Sequence, residues 1–161
     1  MKLVLANVHS SGHISLAHID DCYLQGQTFT KCVLNIIDTF IMFEKLGFII
    51  HPTKSCLIPS QEIITLGFLI NSVTINIRLT TEKATDLRKV CKALLDATKP
   101  QSIREVARVF GKIVASFPGV IYGPLHYREL ENDKTKTLKD AKGNFDTNMQ
   151  LSQGARTKLQ W

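Results

Sequence analysis

The sequence predicts an α+β protein in which β-hairpins and one long amphipathic helix precede a bundle of helices. Three observations predict it. Up to about residue 79, short apolar runs alternate with turn residues, as the strands of hairpins do. From Thr80 onward the apolar residues recur every three or four positions, the period of helices packed on one face. Between residues 28 and 46 a single helical stripe is long enough to cover the back of a sheet. The seam between the two patterns falls near residue 80.

The first ten residues are briefly apolar, but Asn7 and His9 interrupt them and no small-residue cleavage site follows, so no secretory signal is expected. The run His13-Ile14-Ser15-Leu16-Ala17-His18-Ile19 alternates imperfectly, meets Asp20-Asp21, and resumes as Cys22-Tyr23-Leu24. Asp tolerates turn geometry, so the two runs predict a β-hairpin closed by the acidic pair. Cys32, Ile36, Ile37, Phe40, Phe43 and Leu46 then fall at helical spacing. That helix runs from Thr28 to Leu46, with Thr28 or Thr30 as its N-cap and Gly47 as its left-handed stop. Pro52 breaks the chain after it, and an irregular loop delivers Lys54 into a short strand at Cys56–Ile58. Ile63–Ile70 and Val73–Leu79 read as two strands of a second hairpin, joined at Asn71-Ser72.

Helices follow. Ala84, Leu87, Val90, Leu94 and Leu95 mark the first, ended near Lys99-Pro100. Ser102-Ile103-Arg104-Glu105 is a capping box, and Ile103, Val106, Ala107, Phe110, Ile113 and Val114 stripe the helix it opens. Phe117-Pro118-Gly119 closes it. A further helix is expected from Tyr122 to Leu130, running on toward Leu138. Lys142-Gly143-Asn144 reads as a loop and Ser152–Leu159 as a last short helix. The chain thus divides at 1–79, 80–142 and 143–161.

Composition narrows the class. With 44% hydrophobic and 21% charged residues the chain is globular rather than disordered. It contains no run of about 18 apolar residues, so no membrane helix is expected. Cys22, Cys32, Cys56 and Cys91 form no C-x-x-C pair, which argues against a zinc ribbon or a disulfide framework and for reduced thiols in an intracellular protein. Residues 1–78 carry five basic and five acidic side chains, whereas residues 79–112 carry eight and four. The net charge of +6 is therefore concentrated in the middle third, which suits a polyanion such as nucleic acid.

Asp20-Asp21 is the main candidate for chemistry. Two adjacent carboxylates repel, and a hard cation between or beside them relieves that repulsion. Magnesium takes such oxygen ligands and bridges them to substrate phosphates. Pattern alone favours a solvated turn for the pair and a surface loop position for Lys54. His9, His13, His51 and His126 read as structural or surface residues. Tyr122, Tyr127 and Arg128 read as helix-packing residues before they read as a clasp for nucleic acid.

The order of these features is similar to the later motifs of reverse transcriptases. It runs from His18-Ile19-Asp20-Asp21 to a helix ending at Gly47, a lysine after a proline, and then Leu66-Gly67-Phe68-Leu69-Ile70. Further on, Ile103-Arg104-Glu105-Val106, Phe117-Pro118-Gly119, Tyr122-Gly123-Pro124-Leu125 and the closing Leu159-Gln160-Trp161 resemble the DIRS-type retroelements, whose polymerase leads into a ribonuclease H domain. The resemblance covers nearly the whole chain from Gly12.

The resemblance implies a partial polymerase palm over residues 1–79, a helical thumb and connection over 80–142, and the lead-in to a ribonuclease H domain over 143–161. It implies that Asp20 binds metal, with Asp21 supporting the metal and the primer end, and that Lys54 lies near the incoming nucleotide's phosphates. It makes Leu66, Gly67 and Phe68 the primer grip. The helix bearing Lys83, Arg88, Lys89 and Lys92 becomes a thumb that meets phosphates rather than bases. His18 stands where the family usually carries a tyrosine beside the primer end. The implied cofactor is Mg2+, and the implied partner is an RNA/DNA template–primer duplex, with no small-molecule cofactor and no membrane, in the cytoplasm or nucleus. Two-metal nucleotidyl transfer needs a further carboxylate upstream, and residues 1–19 contain neither Asp nor Glu. The expectation is a polymerase fragment that is inactive alone; the alternatives are a non-catalytic nucleic-acid-binding module and a decayed retroelement remnant.

Overall fold

The computed structural model describes residues 2–160. Its backbone is mixed α and β, as the alternating and helical periodicities predict. It groups into two compact units, one ending at Gln61 and the other beginning at Glu62. Among the described residues no helix is long and apolar enough to cross a membrane. Trp161, part of the closing Leu159-Gln160-Trp161 stretch, lies outside the described residues.

The first unit opens with a helix that the sequence pattern does not predict, α1 (Lys2–Ser10), which buries Leu5 and Val8. Asn7 and His9 interrupt hydropathy there, but they do not break a helix: four residues separate Leu5 from His9, and the two keep one face. His9 Nε2 lies 3.0 Å from the Ser15 carbonyl and 2.9 Å from its hydroxyl, tying α1 to the next strand. Strands β1 (Ile14–His18) and β2 (Asp21–Gln25) pair antiparallel from Ile14↔Gln25 to His18↔Asp21, so Ile19 and Asp20 form the two-residue turn.

Helix α2 (Phe29–Lys45) starts on Thr28, whose hydroxyl accepts from the Lys31 amide at 3.2 Å. It ends with the Gly47 amide donating to Glu44 and the Phe48 amide to Phe43, with Gly47 at φ +78°. This is the Schellman arrangement, and the Phe43 and Phe48 rings pack at 5.3 Å across it. Asn35, wholly buried on α2, holds the helix on the hairpin. Its Nδ2 donates to the carbonyls of Ile14 (2.9 Å) and Gln25 (3.0 Å), the pair at the open end of the ladder. From Phe48 to Gln61 the chain has no regular structure, so the strand expected at Cys56–Ile58 does not form. Leu57 and Ile58 are exposed: their apolarity signals neither a buried face nor a ladder partner.

The second unit begins with a three-stranded antiparallel sheet, β3 (Glu62–Thr65), β4 (Phe68–Asn71) and β5 (Asn76–Leu79). The apolar run Ile63–Ile70 is thus two strands rather than one. Leu66 and Gly67 break it at φ +50° and +76°, forming the tight turn that lets Thr65 face Phe68. The Asn71 Oδ1 accepts from the Val73 and Thr74 amides at 3.0 and 2.9 Å and shapes the next turn. The seam expected near residue 80 marks the passage from β5 to helix α3 (Thr81–Asp96) inside this unit.

Strand β6 (Gln101–Ser102) leads into α4 (Ile103–Val114) through the complete Ser102–Glu105 capping box. Short 3-10 turns at Phe117–Gly119 and Gly123–Leu125 follow, and α5 (Arg128–Asp140) comes after them. The helix expected from Tyr122 therefore starts only at Arg128. Pro124 offers no amide, and Gly123 packs so tightly that an added Cβ would sit 2.8 Å from the Phe117 ring. Strand β7 (Asn148–Met149) pairs with β6, and α6 (Gln153–Leu159) closes the described chain on its Ser152 cap. The core of this unit joins Leu94, Ile103, Val106, Val109, Leu130, Met149 and Ala155.

Candidate nucleic-acid interface

The first unit presents the acidic pair at the tip of the β1–β2 hairpin. Asp20 lies in the turn and Asp21 opens β2 opposite His18, and all three are exposed. Ile19 holds φ +54°, a conformation that β-branched residues rarely adopt, so the tip carries local backbone strain. Among the described residues no ion pair engages either carboxylate, and no group of three His, Cys, Asp or Glu forms a metal-type cluster. The donor chemistry fits a single hard cation, since Mg2+ is commonly held by one or two carboxylates with water and phosphate filling the rest. It does not fit a two-metal clamp.

Lys54 sits in a turn where the Ser55 amide donates to the His51 carbonyl at 3.1 Å. Its side chain is exposed and joins neither Asp20 nor Asp21 in an ion pair. The histidines near the hairpin are scaffold residues: besides His9, His13 Nε2 meets the Asp38 carboxylate at 2.7 Å between β1 and α2.

In the second unit the Leu66-Gly67 turn is built onto the N-terminus of α3. The Thr80 amide donates to the Gly67 carbonyl at 3.1 Å, and Thr80 itself caps α3. One turn along, Lys83 Nζ donates to the Leu66 carbonyl at 3.0 Å and lies 3.8 Å from the Phe68 ring centroid. Partial burial lowers the Lys83 pKa. An added Cβ at Gly67 would fall 2.8 Å from Lys83 Cδ, so glycine serves both the turn's positive φ and the seat of this lysine. Lys83 is spent on the hairpin, and its charge meets a carbonyl and a ring face.

Other basic residues of this unit are engaged within it. Lys112 bonds Asp86 at 2.6 Å, and the Asp86 carboxyl is held below its ordinary pKa, first by that bond. Arg104 binds Asp146 through Nε and Nη2 at 2.9 and 3.3 Å. Lys134 lies 4.0 Å from the Phe110 ring centroid. Tyr127 packs between Phe110 (5.7 Å) and Phe117 (5.1 Å), and so is a packing residue, while Tyr122 stays exposed. Among the described residues, that leaves Arg88, Lys89 and Lys92 on α3 exposed and in no ion pair. Arg88 and Lys92 are four residues apart and share one side of the helix. Sequence reasoning missed Asn35 and the anchoring role of Lys83. An asparagine in a helical stripe and a lysine at a third helical position were the only traces.

No protein-family model matches this chain, and no curated protein does. Among solved structures it is similar to the foamy viral protease–reverse transcriptase in complex with double-stranded DNA, at a TM-score of 0.62 and 19% identity over 98% of this chain. The fold is therefore of reverse-transcriptase type over nearly its whole length. The chain spans 24% of that structure's chain.

Proposed function

We propose that this chain is a palm-and-thumb piece of a DIRS-type retroelement reverse transcriptase that binds template–primer duplex through phosphates. The observation that carries the reading is a shared fold over 98% of the chain with a reverse transcriptase described as holding double-stranded DNA. Arg88, Lys89 and Lys92, the cations of α3 left outside ion pairs, are the residues that would meet the duplex backbone. Leu66, Gly67 and Phe68 would present the primer grip, braced from behind by Lys83.

Asp20 and Asp21 would hold one Mg2+ weakly, with His18 beside the primer end and Lys54 toward nucleotide phosphates. Bound there, the ion would supply charge neutralisation at phosphate oxygens. The third carboxylate of a two-metal site has no counterpart among residues 1–19, so the chain is proposed to be inactive in nucleotidyl transfer by itself. Exposed apolar residues on β1 and α2, Ile14, Leu16, Leu34, Ile37 and Ile41, support a palm lacking its neighbouring strands. The free state of all four cysteines supports an intracellular setting.

Two measurements test this. Purified chain is offered an RNA template, a DNA primer, nucleotides and magnesium, with Asp20→Asn as control. No extension is expected from either protein, and extension abolished by Asp20→Asn would overturn the claim of inactivity. In parallel, duplex affinity is followed against salt. It is expected to fall by about 0.9 log units per log unit of salt for each phosphate contacted. Affinity independent of salt, or no binding at low salt, would sink the reading of α3 as a phosphate-contacting thumb.

A further inference from the structure

The second unit contains a groove of about 620 Å³ whose apolar interior the duplex reading leaves unfilled, although two of its lining cations, Arg88 and Lys92, are ones that reading assigns to phosphates. Its floor is apolar, built from Leu87 and Leu95 on α3, Ile113 on α4 and Phe117 in the 3-10 turn beyond it. Three cations, Arg88, Lys92 and Lys158, stand in its lining, and among the described lining residues there is no Asp or Glu. Its volume lies in the range of sites that take drug-sized ligands, which are mostly apolar with a few placed polar groups.

We propose that this groove binds a small amphipathic anion, a fatty-acid-like molecule with an aliphatic body and one carboxylate. The charge pattern selects it. An aliphatic body removes the floor from water, and a single carboxylate meets cations that no acidic neighbour neutralises. A nucleic-acid backbone can meet Arg88 and Lys92 but does not fill the groove, because its charges repeat along its length and would lie over leucine, isoleucine and phenylalanine. A neutral hydrocarbon would leave Arg88, Lys92 and Lys158 without a counter-charge.

Cys91 lines the groove and reports on it, whereas Cys56 is exposed in the first unit. Burial pushes the Cys91 thiol pKa up, so labelling is done at mildly alkaline pH. The intact chain is alkylated with and without dodecanoate below its micelle concentration, and modification of each cysteine is followed by mass spectrometry. Dodecanoate is expected to slow Cys91 several-fold and saturably, leave Cys56 unchanged, and act far more strongly than dodecanol. In Arg88→Gln/Lys92→Gln/Lys158→Gln, the concentration giving half protection is expected to rise roughly tenfold or more. These three side chains are exposed or rim residues, so the variant keeps its core.

No protection of Cys91, equal protection by dodecanol, or protection unchanged in the triple variant would each overturn the proposal. So would protection by duplex DNA without any effect of dodecanoate, which would assign the groove to nucleic acid. Protection that grows with protein concentration and needs no ligand would assign the groove to a second copy of the chain, and would overturn the proposal equally. Because the readout is one thiol rather than extension or duplex affinity, its failure is separable from failure of the reverse-transcriptase reading.

Discussion

Lys83 on the first turn of α3 donates to the Leu66 carbonyl at 3.0 Å while its ammonium lies 3.8 Å from the Phe68 ring centroid. One side chain thus holds the turn of the β3–β4 hairpin and the aromatic residue that follows it. With the Thr80 amide on the Gly67 carbonyl, it makes the hairpin and the helix N-terminus one local assembly.

Lys83→Met keeps most of the side chain's length and removes the ammonium. It is expected to cost about 1 kcal/mol, the scale of one exposed charge-assisted contact plus a cation–π contact. Urea unfolding gives the total, and amide exchange at Leu66–Phe68 should accelerate. Lys89→Met, in no ion pair, should do neither. Equal behaviour of the two variants would refute the anchoring role.

Asn35→Leu is expected to destabilise the first unit by about 1 to 2 kcal/mol, since it leaves the part-buried carbonyls of Ile14 and Gln25 without the donor that buried Asn35 supplies. Asn35→Asp should be at least as harmful near neutral pH, because a carboxylate cannot donate to them. Chemical denaturation monitored on unit-one residues by NMR checks both.

Ile19 at φ +54° and Leu66 at φ +50° occupy backbone conformations that favour glycine or asparagine. Ile19→Gly and Leu66→Asn are each expected to raise stability by about 1 kcal/mol. A fall in melting temperature for Ile19→Gly would mean that the side chain contributes packing beyond its 77% exposure.

Glu105 is held below its ordinary pKa first by the Ser102 amide and then by the Ser102 hydroxyl; Asp146 is held below its own by the hydrogen bond from Arg104. A carboxyl with a lowered folded pKa stabilises the fold above its unfolded pKa, and the effect is lost as pH falls through the folded value. Stability should therefore decline as pH drops below about 4 to 5. Glu105→Gln and Asp146→Asn should flatten that decline while lowering stability at pH 7. A melting profile from pH 7 to pH 3 tests it, and an unchanged slope in both variants would refute it.

By itself the sequence determined what local chemistry controls. Thr28 and Gly47 bounded α2, and Ser102 with Glu105 opened α4, because caps satisfy orphan amides and carbonyls within a few residues. Asp20-Asp21 marked the first hairpin tip to within one residue, since Asp suits a turn; the turn itself is Ile19-Asp20, with Asp21 already in the ladder. Tertiary structure decided the rest. Leu57 and Ile58 look like a strand but find no partner in a ladder, and Tyr122–Tyr127 reads as helix until Phe117 closes on Gly123. The assignments of Asn35 to the hairpin, of Lys83 to the turn of Leu66, and of Lys112 and Arg104 to carboxylates 26 and 42 residues away also needed the fold. A charged or amide side chain carries no mark in sequence of which distant group will meet it. Only packing fixes which cations are consumed internally and which, like Arg88, Lys89 and Lys92, keep their charge for a partner.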